Sequence, residues 1–505
     1  MSSSRPLRRP RLRLCAVSCL LVAGCAVGPD YVRPAVVVPA AYKESAGWKA
    51  AEPRPVDARH PWWTWYGDAT LDRLVADADA ANQNIRQAEA QYRQAQAIAD
   101  QARAGYFPGV GAGVSAGRGT STTTGRDVTS FGASLSASWV PDLWGAVRRA
   151  VESGEAGVAA SADDLAAARL SIQAAVAVDY LQLRYVDEQR ELYANTIAAY
   201  EKALQLTRAQ NAAGVALRSD VALAETQLKT AQAAGVDLDA QRAQLEHAIA
   251  ILTGRAPAAF GLPPVSPAAA FRARLPVIPA SLPSELLEHR PDIAAAERRV
   301  ALANANIGVA KAASYPALTL SASGGVAGAT VATLIDTPSR IWSLGAALAQ
   351  TVFDGGLRRA RTAQAEAAFD VASAQYKQTV LGGFQQVEDD LATLAVLDRE
   401  TALQDQAVAA ARLAERLALA QYRGGTASYL SVVTAQTLAL SNERTAVQLR
   451  SRQMATSVGL IVATGAGWSP GNAAATAASS AASVAAAATA SPTAAASTAS
   501  ISSGH

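Results

Sequence analysis

One block of this sequence occurs twice. Tyr106-Phe107-Pro108 recurs as Ser314-Tyr315-Pro316, and Trp139-Val140-Pro141-Asp142-Leu143-Trp144-Gly145 as Thr351-Val352-Phe353-Asp354-Gly355-Gly356, at an offset of about 210 residues. The same offset relates Asn211-Ala212-Ala213-Gly214-Val215 to Arg423-Gly424-Gly425-Thr426, and Leu252-Thr253-Gly254 to Ala463-Thr464-Gly465. The fold must use one structural unit twice. Between the copies lie Pro257, Pro263, Pro264, Pro267, Pro276, Pro279 and Pro283, which forbid a continuous helix and mark an extended connection.

Within each copy the hydrophobic period changes. Phe131, Ala133, Leu135, Ala137 and Trp139 alternate with Ser130, Gly132, Ser134, Ser136 and Ser138, as do Val110, Ala112, Val114 and Ala116 with Gly109, Gly111, Gly113 and Ser115. Leu318, Leu320 and Ala322 alternate in the second copy, followed by Trp342, Leu344, Ala346 and Leu348. A period of two predicts four strands of about ten residues, each with one apolar and one polar face. They form two hairpins, with tips near Thr120 to Arg126 and Asp336 to Arg340. Strands of this kind suit a transmembrane barrel; the alternative is the edge of a soluble β-sandwich. Four strands cannot enclose a barrel and open edges are not tolerated in lipid, so the membrane reading requires several chains to pool their strands.

After each hairpin the period becomes helical. From Leu143 to Asn211 no proline interrupts, and Ile172, Val176, Leu183, Val186, Tyr193, Ile197, Tyr200 and Leu204 recur in steps built from threes and fours. About 70 residues at 1.5 Å each reach roughly 100 Å, far beyond a bilayer, so such a helix must project away from it. The second copy repeats this from Gly356 to Arg423. Each long helix turns at glycine, Gly214 or Gly424-Gly425, and returns to end near Gly254 or Gly465.

The N-terminus carries an address. Arg5, Arg8, Arg9, Arg11 and Arg13 precede an apolar run from Leu14 to Ala23, the pattern of a secretory signal. It ends Val22-Ala23-Gly24-Cys25, similar to the bacterial lipobox, in which the chain is cut before an acylated cysteine; the alternative is an ordinary signal with a chance cysteine. Ala26 follows where retention signals place aspartate, so the expected destination is the periplasmic side of the outer membrane. Removing the leader takes five uncompensated arginines from a formal net charge of +3 and leaves −2, which makes nucleic acid an unexpected partner.

Composition narrows the remaining possibilities. All three cysteines, Cys15, Cys19 and Cys25, lie at the N-terminus, so no disulfide, cysteine-ligated metal or cysteine nucleophile is expected beyond it. His60, His247, His289 and His505 are scattered without ligand spacing. Gly111-Ala112-Gly113-Val114-Ser115-Ala116 fits a dinucleotide fingerprint, but it lies in an alternating strand with no helix after it. No enzyme, metal or cofactor is expected, beyond covalent lipid on Cys25.

The order of these features resembles the TolC-like outer-membrane efflux proteins, in particular their acylated NodT-type branch. Val27-Gly28-Pro29-Asp30-Tyr31-Val32-Arg33-Pro34, Trp62-Trp63-Thr64-Trp65-Tyr66-Gly67-Asp68 and Leu71-Asp72-Arg73-Leu74 carry the likeness, with Leu286-Leu287-Glu288-His289-Arg290-Pro291-Asp292-Ile293, Glu297-Arg298-Arg299 and Ala303-Asn304-Ala305-Asn306-Ile307-Gly308. The resemblance implies an α+β membrane protein: a trimeric tube with four transmembrane strands per chain in a shared twelve-stranded barrel, continued by a long periplasmic α-helical coiled-coil barrel. On that reading residues 1–24 are the signal, 25–66 the acylated segment, 67–254 the first repeat, 255–283 the proline-rich connection and 284–465 the second repeat. Residues 466–505, rich in Ala and Ser, form a tail expected to be disordered.

The resemblance also implies function. The chain would be the outer-membrane duct of a tripartite efflux system, passively exporting drugs or other small toxic molecules, with a periplasmic adaptor and an inner-membrane pump of the resistance-nodulation-division type. The helix turns would close the tube and dock the adaptor; here these are the turns at Gly214 and Leu217 and at Gly424 and Gly425. Asp220 stands where the family places an acid linking neighbouring helices, and Tyr422 where it places a tyrosine of the same network. The family's basic position holds Ala427, leaving Arg423 or Arg218 as substitutes, and its acidic pore-ring positions hold Ser431 and Thr434. The plainer alternative is that Ser219 and Asp220 start the return helix. Type I protein secretion and a non-channel periplasmic tether are the competing functions.

Overall fold

Absence of proline and abundance of alanine let each long stretch fold as one helix. In chain order the described elements are α1 (Ala69–Ala81), α2 (Gln83–Ala104), β1 (Gly109–Thr120), β2 (Asp127–Trp139), α3 (Ala146–Ala212), α4 (Arg218–Leu252), α5 (Pro291–Ala312), β3 (Ala317–Gly328), β4 (Arg340–Ala349), α6 (Leu357–Arg423) and α7 (Tyr429–Ala463). The computed structural model describes residues 26–45, 61–120, 125, 127–264, 289–335, 339–465 and 468. The leader, Cys25, most of the proline-rich connection, nearly all of the tail and parts of both hairpin tips lie outside them.

The duplication is metrical. Helices α2 and α5 have 22 residues each, α3 and α6 have 67, and α4 and α7 have 35. The strands are β1 and β3 with 12 residues, β2 with 13 and β4 with 10, and they form one antiparallel sheet in the order β1-β2-β3-β4. The dinucleotide-like glycines lie inside β1, whose ladder with β2 runs through all of them. Among the described residues no helix is long and apolar enough to cross a membrane.

Packing divides the chain into two units that cut across the repeat: Met1–Val37, Gln87–Ser161 and Asp292–Gly382 form one, and Val38–Arg86, Ala162–Pro291 and Gly383–His505 the other. The first holds the sheet. Its helices pack through small residues: a Cβ on Gly154 would come within 2.9 Å of Ala99 Cα, so α3 and α2 touch backbone to backbone there. In the second unit equivalent positions of the two copies fill the core, Tyr180 and Leu391 both being fully buried. Asp68 caps α1 by accepting from Thr70 N (2.7 Å) and Leu71 N (3.2 Å), and its other oxygen accepts from Tyr180 Oη at 2.7 Å.

Each helical hairpin ends docked on the start of its own copy. Asn82 Nδ2 donates to Leu252 O at 2.8 Å, and Arg290, at the equivalent place, donates to Ala463 O at 3.2 Å. Beyond those carbonyls the chain turns at Gly254 (φ 70°) and Gly465 (φ 87°). A Cβ would lie 2.5 Å from Ala81 O at the first turn and would collide with His289 O at the second. The distinctive His289-Arg290-Pro291 stretch therefore receives the end of α7, with Pro291 at a helix start where its missing N–H is harmless.

This packing can be tested at its glycines. Gly465→Ala should destabilise the protein by more than about 2 kcal/mol, because close approach and left-handed backbone both oppose a side chain. Gly214→Ala, at φ 75° but with open space around it, should lose only about 1–2 kcal/mol; equal melting temperatures for the two variants would contradict the docking. A second test concerns Asp390 of α6, whose Oδ2 is buried with no hydrogen-bond donor among the described residues and whose carboxylate faces Gly459. Burial, with repulsion from Asp389, pushes its pKa up to about 6. The folded value exceeds the unfolded one, so ionisation opposes folding and stability should rise as pH falls through 6. Asp390→Asn should flatten that slope in thermal unfolding curves recorded from pH 7.5 to 5.

Candidate functional site

The sheet is the first part of the site. Its register aligns Val110, Val114, Phe131, Leu135, Leu320, Leu344 and Leu348 on one face, with Trp139 and Trp342 on the same side. From Trp139 to Phe131 this face spans eight residue steps, about 26 Å, the height of the apolar band of an outer-membrane barrel. Past the band the face turns polar at Arg118 and Asp127, which lie 3.4 Å apart, and on β4 it turns polar at Arg340, level with Ala133. The opposite face carries Gly111, Gly113, Ser134, Ser136, Ser323 and Ser343, with Ser136 Oγ donating to Gly111 O (3.4 Å) and Ser323 and Ser343 sharing a hydrogen bond at 2.8 Å.

Every residue of β1 and β4 is exposed in the single chain, Val114 at 88% and Leu344 at 76%. Among the described residues these outer strands pair on one side only. An apolar face this open, bounded by unpaired backbone, calls for lipid on the face and further strands at the edges.

The helix turns are the second part, and the two copies build them alike. Val215 N donates to Gln210 O at 2.8 Å and Thr426 N to Gln421 O at 2.9 Å, with Gly214 and Gly425 in the left-handed region at φ 75° and 73°. Gly214, Gly424 and Gly425 are exposed, as is Leu217 at 70% and its neighbour Val215 at 77%. Leu217 is thus an outward-facing residue of the turn.

Asp220 and Tyr422 are engaged with different partners. Asp220 is the third residue of α4, and its Oδ2 accepts from Leu217 N at 3.2 Å, which satisfies a free donor of the helix start. The plainer reading of this acid describes its bond. Tyr422 Oη instead donates to Gln210 Oε1 at 2.5 Å, joining α6 to α3, and its ring lies 5.2 Å from that of Tyr429. Among the described residues no hydrogen bond joins Asp220 to Tyr422, and neither Arg218 nor Arg423 forms an ion pair with Asp220. Arg423, Ser431 and Thr434 are exposed, and Ala427 is half-buried.

Behind the turns a polar ladder threads an otherwise apolar cluster that includes Tyr193, Tyr200, Leu228, Tyr422, Tyr429 and Val432. Thr207 is fully buried beside Tyr429, and Gln227 Nε2 donates to Gln436 Oε1 at 3.2 Å. Burial pushes the Tyr429 phenol up to about 12, against the opposing Thr207 hydrogen bond and with help from the neighbouring phenols and the charge of Asp220. Burial, then the nearby Glu443, raises the Glu415 carboxyl, which Gln436 partly offsets by hydrogen bonding. Gln210, Thr207, Gln227 and Gln436 were not among the sequence candidates; polar residues at inward helical positions were the available signal. Among the described residues no group of three His, Cys, Asp or Glu side chains is placed to hold a metal ion.

A sheet with a lipid-height apolar face and a pair of long helical hairpins is the arrangement of a known class of channel. The model of the outer membrane efflux protein family matches residues 74–255 and 282–466. The chain belongs to the outer membrane efflux protein family. It is 32% identical over 440 residues to the pyoverdine export outer membrane protein OpmQ of Pseudomonas putida, covering 84% of this chain and 92% of that protein. It is 29% identical over 460 residues to the toluene efflux pump outer membrane protein TtgF, from another strain of Pseudomonas putida, covering 88% and 95%. The solved outer-membrane channel OprN matches at a TM-score of 0.80 and 30% identity over 87% of this chain and 99% of that one. Members of the family are channel proteins, and this chain is the outer-membrane channel component of an efflux system, with the TolC-like α+β fold.

The sheet's two faces predict opposite responses to charge. Leu135→Arg, midway between Trp139 and Phe131 on the apolar face, should cost about 2–4 kcal/mol in the membrane and reduce heat-stable oligomers on gels. Ser134→Lys, on the glycine and serine face, should leave them intact. Equal loss in both variants would mean that the apolar face does not meet lipid.

Proposed function

We propose that three copies close one barrel of twelve strands, that the helical hairpins continue it as a periplasmic duct, and that acyl chains on Cys25 anchor the mature terminus in the outer membrane. The observation that carries this reading is the sheet with an exposed apolar face and two unpaired edges. In lipid an unpaired edge strands its backbone donors and acceptors at several kcal/mol each, and only closure removes both edges. A periplasmic tether would have no use for such a face.

The exposed turns at Gly214, Leu217, Gly424 and Gly425 receive a periplasmic adaptor, which joins the duct to an inner-membrane pump of the resistance-nodulation-division type. Two relatives of similar identity carry cargoes as unlike as pyoverdine and toluene, so the duct does little selecting and the pump sets the substrate. Drugs and other small toxic molecules are the expected class. The chain catalyses no reaction; energy comes from the pump.

Expression in a host lacking its own outer-membrane efflux channels, together with a matching adaptor and pump, should raise resistance to pump substrates. Trimers present in the outer membrane without any gain in resistance would defeat the duct. The resting end of the duct is tied by Tyr422 and Gln210. Tyr422→Phe and Gln210→Ala should each increase uptake of a large hydrophilic antibiotic, and the double variant should be no leakier than either, since they break one bond worth about 1 kcal/mol. Unchanged uptake in all three would remove this tie from gating.

A further inference from the structure

The residues that follow Cys25 are held more tightly than a leash requires. Val27 N donates to Trp144 O at 3.0 Å. Gly145 lies so close to Ala26 that a Cβ on it would come within 2.9 Å of Ala26 Cα, and Gly28, at φ +112°, meets Gly308 so that a Cβ would fall 2.5 Å from Gly308 Cα. The buried Arg149 reaches Asp30 at 2.9 Å and Glu152 at 2.7 Å, and Asn304 Nδ2 donates to Pro29 O at 3.0 Å. Tyr31 Oη donates to Glu297 at 3.3 Å, and Arg33 contacts Glu297 at 3.2 Å and Tyr376 Oη at 3.1 Å. Three helices, α3, α5 and α6, thus grip one strap, and they come from both copies of the repeat.

The strap lands at the base of the sheet. Trp144 follows β2 and Tyr315 precedes β3; their rings stack at 4.9 Å, and Trp144 Nε1 donates to Pro316 O at 2.7 Å. Aromatic side chains at this level mark the interface between membrane and water. Acyl chains must also start at that interface, and a single residue reaches at most about 3.6 Å. Ala26, the residue next in sequence to the cysteine proposed to carry the lipid, packs on Gly145, and Val27 pairs with Trp144 of the aromatic pair, so the segment between the two membrane markers has no slack. A leash that only kept the protein near a membrane would be polar and loose.

We propose that residues 26–33 are a spacer of fixed length, which holds the acyl anchor and the base of the sheet at one height so that the strands meet the bilayer in register with those of neighbouring chains. This rests on the acylation of Cys25 proposed above. Gly28, Gly308 and Arg149 are its positioning residues: the glycines allow the close approach, and the arginine ties the strap to α3.

Inserting about eight Gly and Ser residues between Ala26 and Val27 keeps the lipobox, Ala26 and the docked residues 27–33, but adds roughly 15 Å of slack. Membranes carrying the insertion, Gly28→Val or the unaltered chain would be compared for acyl mass on the N-terminal peptide, for heat-stable trimers after a synthesis pulse, and for drug resistance. The spacer predicts full acylation in all three, with slowed and reduced trimers and lost resistance in both variants. An acylated insertion variant that forms trimers at the unaltered rate and yield overturns the spacer and leaves the acylation standing. An unaltered chain with no acyl mass on its N-terminal peptide overturns both.

Discussion

Unpaired backbone at the two edges of a four-stranded sheet governs the rest of this protein. Among the described residues β1 and β4 each lack a partner on one side, and the face they share is apolar for the thickness of a membrane. Water would tolerate the edges but not the face; lipid would accept the face but not the edges. Closure with other copies satisfies both at once, so the single chain is a fragment of its own core. Its helices have the same incompleteness: Leu403 and Leu417 of α6 and Leu438 of α7 are more than half exposed.

The duplication sets the frame, and the breaks in it carry the individuality. Asp220, the acid that closes the start of α4, has Ser431 as its counterpart in α7, and the hydroxyls of Ser428 and Ser431 lie 3.2 Å apart instead. Tyr422, which reaches Gln210, has Asn211 as its counterpart, whose amide donates to Ala216 O within the turn. On the first hairpin Arg184 and Arg242 converge on Asp187 and bind Pro263 O and Leu262 O, fixing the start of the connection with a buried ionic cluster. At the equivalent places the second copy has Ala395, Gln453 and Asp398, with Ser457 where the first has Glu246, the partner of Arg242, and it receives the N-terminal segment through Tyr66 Oη and Ser457 Oγ at 2.7 Å. Each hairpin needs a cover, and the two covers come from different parts of the chain.

Period and offset made the frame legible. Alternation marked all four strands, and glycine at the ends of proline-free runs marked the helix boundaries to within a few residues, because those signals are local and repeat every few positions. The strands run longer than the alternation, β2 beginning at Asp127, since polar residues continue the ladder past the apolar band. Less of the candidate gate is legible. Asp220 and Tyr422 stand at the turns, but an acid three residues into a helix has the same sequence pattern whether it caps that helix or bridges to another. The partner of Tyr422 lies 212 residues away, and those of the strap more than 260 away for Glu297. Side-chain pairs across copies leave no period to read.

The two hairpins share a base but not a tip. Gly109 pairs with Ser138 and Ala317 with Ala349 at equivalent places, yet the first ladder continues to Thr120 and Asp127, while the second stops at Val326 and Arg340 and hands over to a 3-10 turn at Ala332–Ile335. The second copy's extra residues are therefore spent where the sheet leaves the bilayer. In a closed assembly of three chains the lower rim would be a ring of six near-identical entrances to the strands, and the upper rim an alternation of short and long crests. A molecule approaching from outside the cell would meet threefold symmetry; one arriving from the helices would meet something close to sixfold.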